Sequence, residues 1–350
     1  MASQGKKWPS REGFTADVLT SFLRSTVLNP WIMVPLFALA QYSGKGRAVT
    51  EARPHLLKAL RVCASLGLLN RVSAWLDQRS ANNGASDTYD WNKEIVVLTG
   101  GSNGIGRIVA QQLGDRGIKV AILDITPPSP AELPKTVRFY ECDITSPEAI
   151  AEVATQIRTS LGRPTILINN AGILPAKTIL EISPQLTRRL FEINNMSHYW
   201  LAQEFLPDMV KNNHGMVVTV ASQAGYTVAA NMVTYCATKA AAIAFHEGLG
   251  TELLTRFNAP KVRTVLVTQS FTRTTLIDGL TPEDGFIAPL LYPETVAENL
   301  VKQVLTGRSG HVNVPGSSGW ISTHLRGFPL WFQNTIRNTM EESMRVEKSK

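Results

Sequence analysis

The chain has 350 residues, 44% hydrophobic and 18% charged, which is long enough for more than one unit and too apolar for a disordered chain. Three scattered cysteines supply no disulfide framework and six histidines fall without ligand spacing, so neither a disulfide scaffold nor a metal site is expected. The net charge of +7 comes without a nucleic-acid motif or a dense basic stripe, so no nucleic-acid partner is expected, and phosphate-headed membrane surfaces explain the charge as well.

The first feature along the chain is an apolar stretch from Val18 to Tyr42, near membrane-spanning length although Arg24 and several hydroxyls interrupt it. Between Val27 and Ala40 its only polar side chain is Asn29, and Pro30 and Pro35 are expected to break a straight helix. Lys6, Lys7 and Arg11 precede the stretch and Lys45, Arg47 and Arg53 follow it. By the positive-inside tendency both flanks then stay cytosolic, as for a hairpin or an in-plane anchor. Ala38-Leu39-Ala40 imitates a signal-peptide cleavage site, but the polar lead before it is long for a signal sequence.

After Pro54, a good first helical residue, His55 to Gln78 reads as a helix that mixes Leu56, Leu60, Leu68, Leu69, Val72, Trp75 and Leu76 with Lys58, Arg61 and Arg71. Three readings stay open for it: lying on a membrane interface, packing on an enzyme surface, or forming an oligomer contact. Asn82-Asn83-Gly84 marks a linker. Residues 1–89 are therefore expected to form a membrane-anchoring and amphipathic helical segment.

From Asp90 onward, apolar strand runs alternate with helical stretches such as Pro147 to Leu161, Pro184 to Val210 and Thr234 to Arg256, which implies a parallel sheet with helices on both faces. The run Ile95 to Leu98 feeds Thr99-Gly100-Gly101-Ser102-Asn103-Gly104-Ile105-Gly106. A strand entering a tight glycine turn and then a helix puts bare backbone and a helix N-terminus where a pyrophosphate can approach; a plain β-to-α turn reads the same way. The next run, Lys119 to Leu123, ends in Asp124, where a carboxylate can accept hydrogen bonds from adenosine ribose hydroxyls and repel a 2′-phosphate. Neither Ser102 nor Asn103 adds a positive charge, so NAD is expected over NADP. A solvated strand end is the plainer alternative.

Further on, Asn169-Asn170-Ala171-Gly172 closes the run Thr165 to Ile168, and Ser222 closes Met216 to Ala221. Tyr235 and Lys239, four apart on a helix, face the same way, as a proton donor with a tuned pKa requires; alone, such a pair is as readily an ordinary surface Tyr and Lys. A last short strand, His311 to Val314, precedes Pro315-Gly316.

The glycine turn, the Asn169 to Gly172 segment, Ser222 and Tyr235-Cys236-Ala237-Thr238-Lys239, in this order, resemble the short-chain dehydrogenase/reductase family over roughly Asp90 to Gly316. The resemblance implies an α/β fold, a doubly wound Rossmann-type parallel sheet of about seven strands. It implies NAD(P) contacts from Gly100, Ser102, Asn103, Gly104, Ile105, Gly106, Asp124, Tyr235 and Lys239, from Asp143 and Ile144 against adenine, and from Asn170, Ala171 and Gly172. Asn194, preferred over Asn195 because it follows Phe191-Glu192-Ile193, would hold a water in a proton relay. A phenol titrates near pH 10, so Tyr235 needs its anion stabilised by Lys239 and the nicotinamide charge to work near neutral pH. Ser222 would position the substrate oxygen. Cys236, His198 and His246 read as packed helix residues.

One departure follows the sixth strand. Gln269-Ser270 stand where the family has Pro-Gly, so this loop is expected to be more mobile or differently shaped, with Thr272 and Thr274 falling at the nicotinamide contacts. The loop from Phe271 to Tyr292 should contact substrate. Residues 317–350 are expected to form an amphipathic tail, where Phe328-Pro329-Leu330-Trp331-Phe332 between Arg326 and Arg337 suits either a membrane interface or a lid.

The N-terminal stretch, Tyr89-Asp90-Trp91 and Glu204-Phe205-Leu206-Pro207 look like the branch of retinol and 17β-hydroxysteroid dehydrogenases of membranes and lipid droplets. That implies interconversion of a lipophilic alcohol and its ketone or aldehyde, at the endoplasmic reticulum or a lipid droplet, with the catalytic domain facing the cytosol and a homodimer as a further expectation. A secondary-metabolite tailoring reductase is the runner-up. A cofactor-bound but inactive binding protein is a third reading, against which the intact Ser222, Tyr235 and Lys239 argue.

Overall fold

The computed structural model describes residues 10–129, 133–278, 280, 282 and 284–339; Lys6, Lys7, residues 340–350 of the expected tail and parts of the expected 271–292 loop lie outside the described residues. The chain divides into two compact units, Met1–Ala81 and Asn82–Lys350.

The front unit contains α1 (Ala16–Ser25), α2 (Pro30–Tyr42), α3 (Gly44–Ala52) and α4 (Pro54–Ala81). The apolar stretch is thus two helices, bent by 47° at the break. Pro30 takes the first helical turn, where its missing N–H has no partner to lose, and the Asn29 side chain accepts from the Trp31 N–H at 3.0 Å. Pro35, expected to break the helix again, is accommodated inside α2, because only the bond to the Trp31 carbonyl is forfeited and α2 packs along α4. No single described helix is long and apolar enough to cross a membrane, whereas the bent pair α1 and α2 passes by length and composition together. Close backbone approach uses small residues: a Cβ on Gly67 would stand 2.6 Å from the Leu28 carbonyl oxygen. Thr50, Ala64 and Gly67 are buried, while Phe22, Leu69, Trp75 and Trp31, the last 78% exposed, face outward.

The second unit is built on seven parallel strands: β1 (Ile95–Thr99), β2 (Lys119–Asp124), β3 (Val137–Glu141), β4 (Ile166–Asn169), β5 (Gly215–Val220), β6 (Val262–Gln269) and β7 (Gly310–Val314), in spatial order β3-β2-β1-β4-β5-β6-β7. Its helices are α5 (Gly104–Gly114), α6 (Pro147–Ser160), α7 (Pro184–Phe191), α8 (Ser197–Asn212), α9 (Val233–Thr255), α10 (Pro293–Val304), α11 (Gly316–His324) and α12 (Leu330–Thr339).

The central strands read as unbroken apolar runs because alternate residues feed two different cores. Val97, Leu167 and Val217 pack with Ile150, Phe205 and Leu249 of α6, α8 and α9; their neighbours Val96, Leu98, Ile166, Ile168, Met216 and Val218 pack with Val109, Leu113, Leu300 and Val304 of α5 and α10. The single helix expected over 184–210 is instead α7 and α8 joined by a π-helical turn, Glu192–Met196. The lead into β1 belongs to this unit. Arg263 donates to the carbonyls of Asn82 (3.1 Å) and Ala85 (2.9 Å), Tyr89 donates to the Gly215 carbonyl at 2.6 Å, and His214 sits between Asp87 (2.7 Å) and Glu94 (3.3 Å). Chain direction across the sheet reverses between β1 and β4, which opens a crevice at their C-terminal ends.

Candidate active site

The crevice floor is the glycine turn. Gly100 and Gly104 adopt φ of +65° and +55°, a region that other residues enter only with strain. At Gly106 a Cβ would lie 2.1 Å from the Gly100 carbonyl oxygen and 2.6 Å from Asn170 Nδ2, so no side chain fits. Asn103 precedes α5 without a side-chain cap, leaving the first-turn amides of Gly104, Ile105 and Gly106 for an anion. Ser102 Oγ is buried and has no partner among the described residues.

Thr99 organises the opposite wall. Its Oγ1 accepts from the N–H groups of Asn170 and Ala171, both at 3.0 Å, while Asn170 Nδ2 donates to the carbonyls of Thr99 and Gly100 at 3.0 Å each. At the end of β2, Asp124 Oδ2 accepts from the Ser102 N–H at 3.1 Å and Oδ1 from the Thr126 N–H at 3.3 Å, which holds the carboxylate beside the turn. Beyond β3, Asp143 Oδ1 accepts from Thr145 N–H (2.9 Å) and Oγ1–H (2.7 Å), and Arg189 donates to Oδ2 at 3.3 Å. Partial burial pushes the Asp143 carboxyl up, but the Thr145 hydrogen bonds and the Arg189 guanidinium outweigh it and hold the group below the usual range. Ile144 beside it is buried. The orphaned Ser102 hydroxyl, the bare backbone at Gly106 and the carboxylate one strand away together fit a nicotinamide dinucleotide.

At the other end of the crevice, Ser222, Tyr235 and Lys239 converge and all are buried. Ser222 lies two residues beyond β5 in extended backbone; its Oγ accepts from the Ala224 N–H at 3.1 Å, donates to the Gln269 carbonyl at 3.3 Å and is hydrogen-bonded to the Tyr235 phenol. Burial raises the Tyr235 phenol above its usual range, and the Ser222 hydrogen bond pulls the other way. Lys239 Nζ lies 5.8 Å from the Tyr235 ring centre and donates to the Val220 carbonyl at 2.9 Å. Burial lowers this ammonium to about 8, so it changes charge close to neutral pH. His198, lowered to about 3 by burial and by the Lys239 charge, is neutral and packs edge-on against Phe245.

Asn194 and Asn195 both lie buried in the π-helical turn, and the Asn194 amide reaches the Ile173 backbone and α9. Asn194 Oδ1 accepts from the Ile173 N–H (2.9 Å), and its Nδ2 donates to the Ile173 carbonyl (2.9 Å) and Thr238 Oγ1 (3.1 Å). Both amide protons are therefore used, and one Oδ1 lone pair is left for a relay. That oxygen and Lys239 Nζ lie 3.4 and 3.5 Å from the point where a Cβ of Gly172 would stand, so glycine keeps the space between them open.

The loop after β6 departs in sequence but is well tied. Ser270 N–H donates to the Val314 carbonyl at 2.8 Å, Thr272 Oγ1 to the Ser270 carbonyl at 3.0 Å, and Thr272 bridges to Leu291. Thr274 reaches the glycine turn, its Cγ2 being 3.5 Å from the position of a Gly104 Cβ. Thr99 and Thr238 carry roles that the sequence reading did not assign, although both lie inside quoted motifs. Gln223, buried next to Ser222, had no local signal at all.

Comparison with known proteins agrees with this geometry. Residues 94–284 match the family profile described as short chain dehydrogenase. The chain is 44% identical over 201 residues to Dehydrogenase RED2 of Cochliobolus heterostrophus, covering 57% of this chain and 76% of that protein. It is 34% identical over 251 residues to Estradiol 17-beta-dehydrogenase 11 of Rattus norvegicus, covering 70% and 83%. A short-chain dehydrogenase structure from Streptomyces avermitilis superposes with a TM-score of 0.58 at 21% identity, over 72% of this chain and 96% of that one, a likeness of fold alone.

Proposed function

The chain belongs to the short-chain dehydrogenase family and is thus an oxidoreductase of CH–OH groups that uses a nicotinamide dinucleotide; from that premise we propose that its substrate is a lipophilic alcohol or the corresponding ketone or aldehyde, of retinoid, steroid or other lipid-like type. The observation that carries this reading is the apolar cluster around Tyr235. Ala229, Met232, Cys236 and Leu280 are buried with it, and Leu174, Val228, Phe271 and Ile277 pack against them. A hydroxyl presented to Tyr235 is thereby surrounded by hydrocarbon, which favours an apolar body over a sugar.

When bound, the dinucleotide supplies hydride transfer. The chain's own residues divide the remaining work: Tyr235 exchanges the hydroxyl proton, Ser222 donates to the substrate oxygen, Lys239 steadies the phenolate and grips the cofactor ribose, and Asn194 relays protons through its free Oδ1 lone pair. Asp124, beside the glycine turn, favours NAD because a 2′-phosphate would meet its carboxylate. Purified protein offered estradiol, retinol, 2-decanol and glucose with NAD or NADP should oxidise one or more of the first three and leave glucose; turnover of glucose alone would refute the lipophilic substrate.

The front unit supports membrane attachment, at the endoplasmic reticulum or a lipid droplet with the catalytic unit in the cytosol, because it leaves Trp31, Leu69 and Trp75 exposed. Removing residues 1–81 should move the protein to the soluble fraction. Unchanged sedimentation with membranes would reject the front unit as the anchor.

A further inference from the structure

Gln223 follows Ser222 in the chain, and neither the proton transfer nor the cofactor cradle uses it. It is only 6% exposed, and every hydrogen-bonding position of its amide is filled. Nε2 donates to the carbonyls of Val314 (3.2 Å) and Pro315 (3.3 Å), and Oε1 accepts from the hydroxyls of Ser318 (2.8 Å) and Ser322 (3.4 Å). All four partners sit at the end of β7 or on α11, beyond the residues 94–284 that match the family profile. The same turn is gripped again just past α11, where Arg326 Nη2 donates to the Gly225 carbonyl at 3.0 Å.

On its other side the turn carries Ser222, whose Oγ is set by the Ala224 N–H and the Gln269 carbonyl. The Val314 carbonyl that accepts from Gln223 also accepts from the Ser270 N–H at 2.8 Å, so the Ser222 turn, the loop bearing Thr272 and Thr274, and the end of β7 that leads into α11 meet at one oxygen. An apolar side chain would fill this space by volume alone and leave the turn free to shift by fractions of an ångström. An amide with four directed bonds admits one orientation.

We infer that Gln223 is a positioning residue: it locks the Ser222 turn to α11, so that the segment after the last strand sets the angle at which Ser222 meets the substrate oxygen. The inference rests on Ser222 acting on that oxygen. Replacing the amide should be tolerated by the fold. The Val314 carbonyl keeps Ser270 and the Pro315 carbonyl keeps the Gly319 N–H at 3.1 Å, while Ser318 and Ser322 can turn to carbonyls one helical turn back.

The experiment is a double-mutant cycle, run with whichever of estradiol, retinol or 2-decanol the wild type oxidises fastest, together with NADH titration. Gln223→Leu should lower kcat roughly tenfold or more while KM and NADH affinity move little, as expected when a reacting group is misplaced and substrate binding is kept. Added to Ser222→Ala, the same change should cost less than about threefold, because its target is gone. Ser318→Ala with Ser322→Ala should reproduce part of the loss, and this pair carries the cycle if Gln223→Leu does not fold. Wild-type kcat in the folded variant, or an equal loss with and without Ser222, would overturn the inference. Wild-type turnover in Ser222→Ala alone would instead overturn the role of Ser222 itself.

Discussion

The two ends of the crevice are made differently. At the cofactor end the fit is made by backbone: positive φ at Gly100 and Gly104, bare space at Gly106, and amides clamped by Thr99 and Asn170. At the substrate end it is made by buried side chains, Ser222, Tyr235 and Lys239, which are desolvated and have neighbours contributed by β5, α9 and the loop after β6. A backbone site tolerates no added atom but little depends on titration. A side-chain site accepts conservative changes in volume and responds sharply to the loss of one functional group.

The largest effect expected at the cofactor end follows from Gly106→Ala. Its Cβ would fall 2.1 Å from the Gly100 carbonyl oxygen, so the turn must move; we expect roughly 3 kcal/mol of lost stability and loss of measurable NADH binding by fluorescence titration. A variant that binds NADH like wild type would break this contrast. Asp124→Ala should have a smaller effect, reducing a preference for NAD over NADP of about tenfold to near parity, the size of one hydrogen bond to a charged group. Equal wild-type affinity for both dinucleotides would remove Asp124 from cofactor selection.

Acid should expose the substrate end. Burial lowers His198 to about 3 and His246 and His311 to about 4, so the folded chain keeps these rings neutral while the unfolded chain protonates them near 6.5. More protons are then bound by the unfolded state between pH 6.5 and about 4, and stability must fall as pH falls through that window. Denaturant unfolding at several pH values should show this slope, and His198→Phe should flatten it; an unchanged slope in that variant would mean that His198 does not stay neutral in the fold.

Much of the cofactor end was legible because each glycine and small polar residue there answers a local backbone demand within a few positions of a strand end. Ser222, Tyr235 and Lys239 were legible for a related reason, since a strand end and a four-residue helical spacing fix where they point. Gln223 and the apolar residues around Tyr235 were not, because their partners lie 91 to 99 residues away or on a loop whose path no local pattern dictates. The π-helical turn was also hidden: the sequence from 184 to 210 reads as one helix, and only the packing of Asn194 against Ile173 and Thr238 explains the interruption. In the front unit, composition placed the apolar stretch and Pro30 marked where α2 starts after the break, but Pro35 stayed helical.

The proposed mechanism turns on Tyr235 as the group that exchanges the substrate proton. Tyr235→Phe keeps the ring and its apolar neighbours and removes only the hydroxyl, so steady-state kcat measured beside an NADH titration isolates that role. We predict at least roughly a hundredfold loss of kcat with NADH affinity unchanged. A folded variant that turns over at near the wild-type rate would contradict this mechanism.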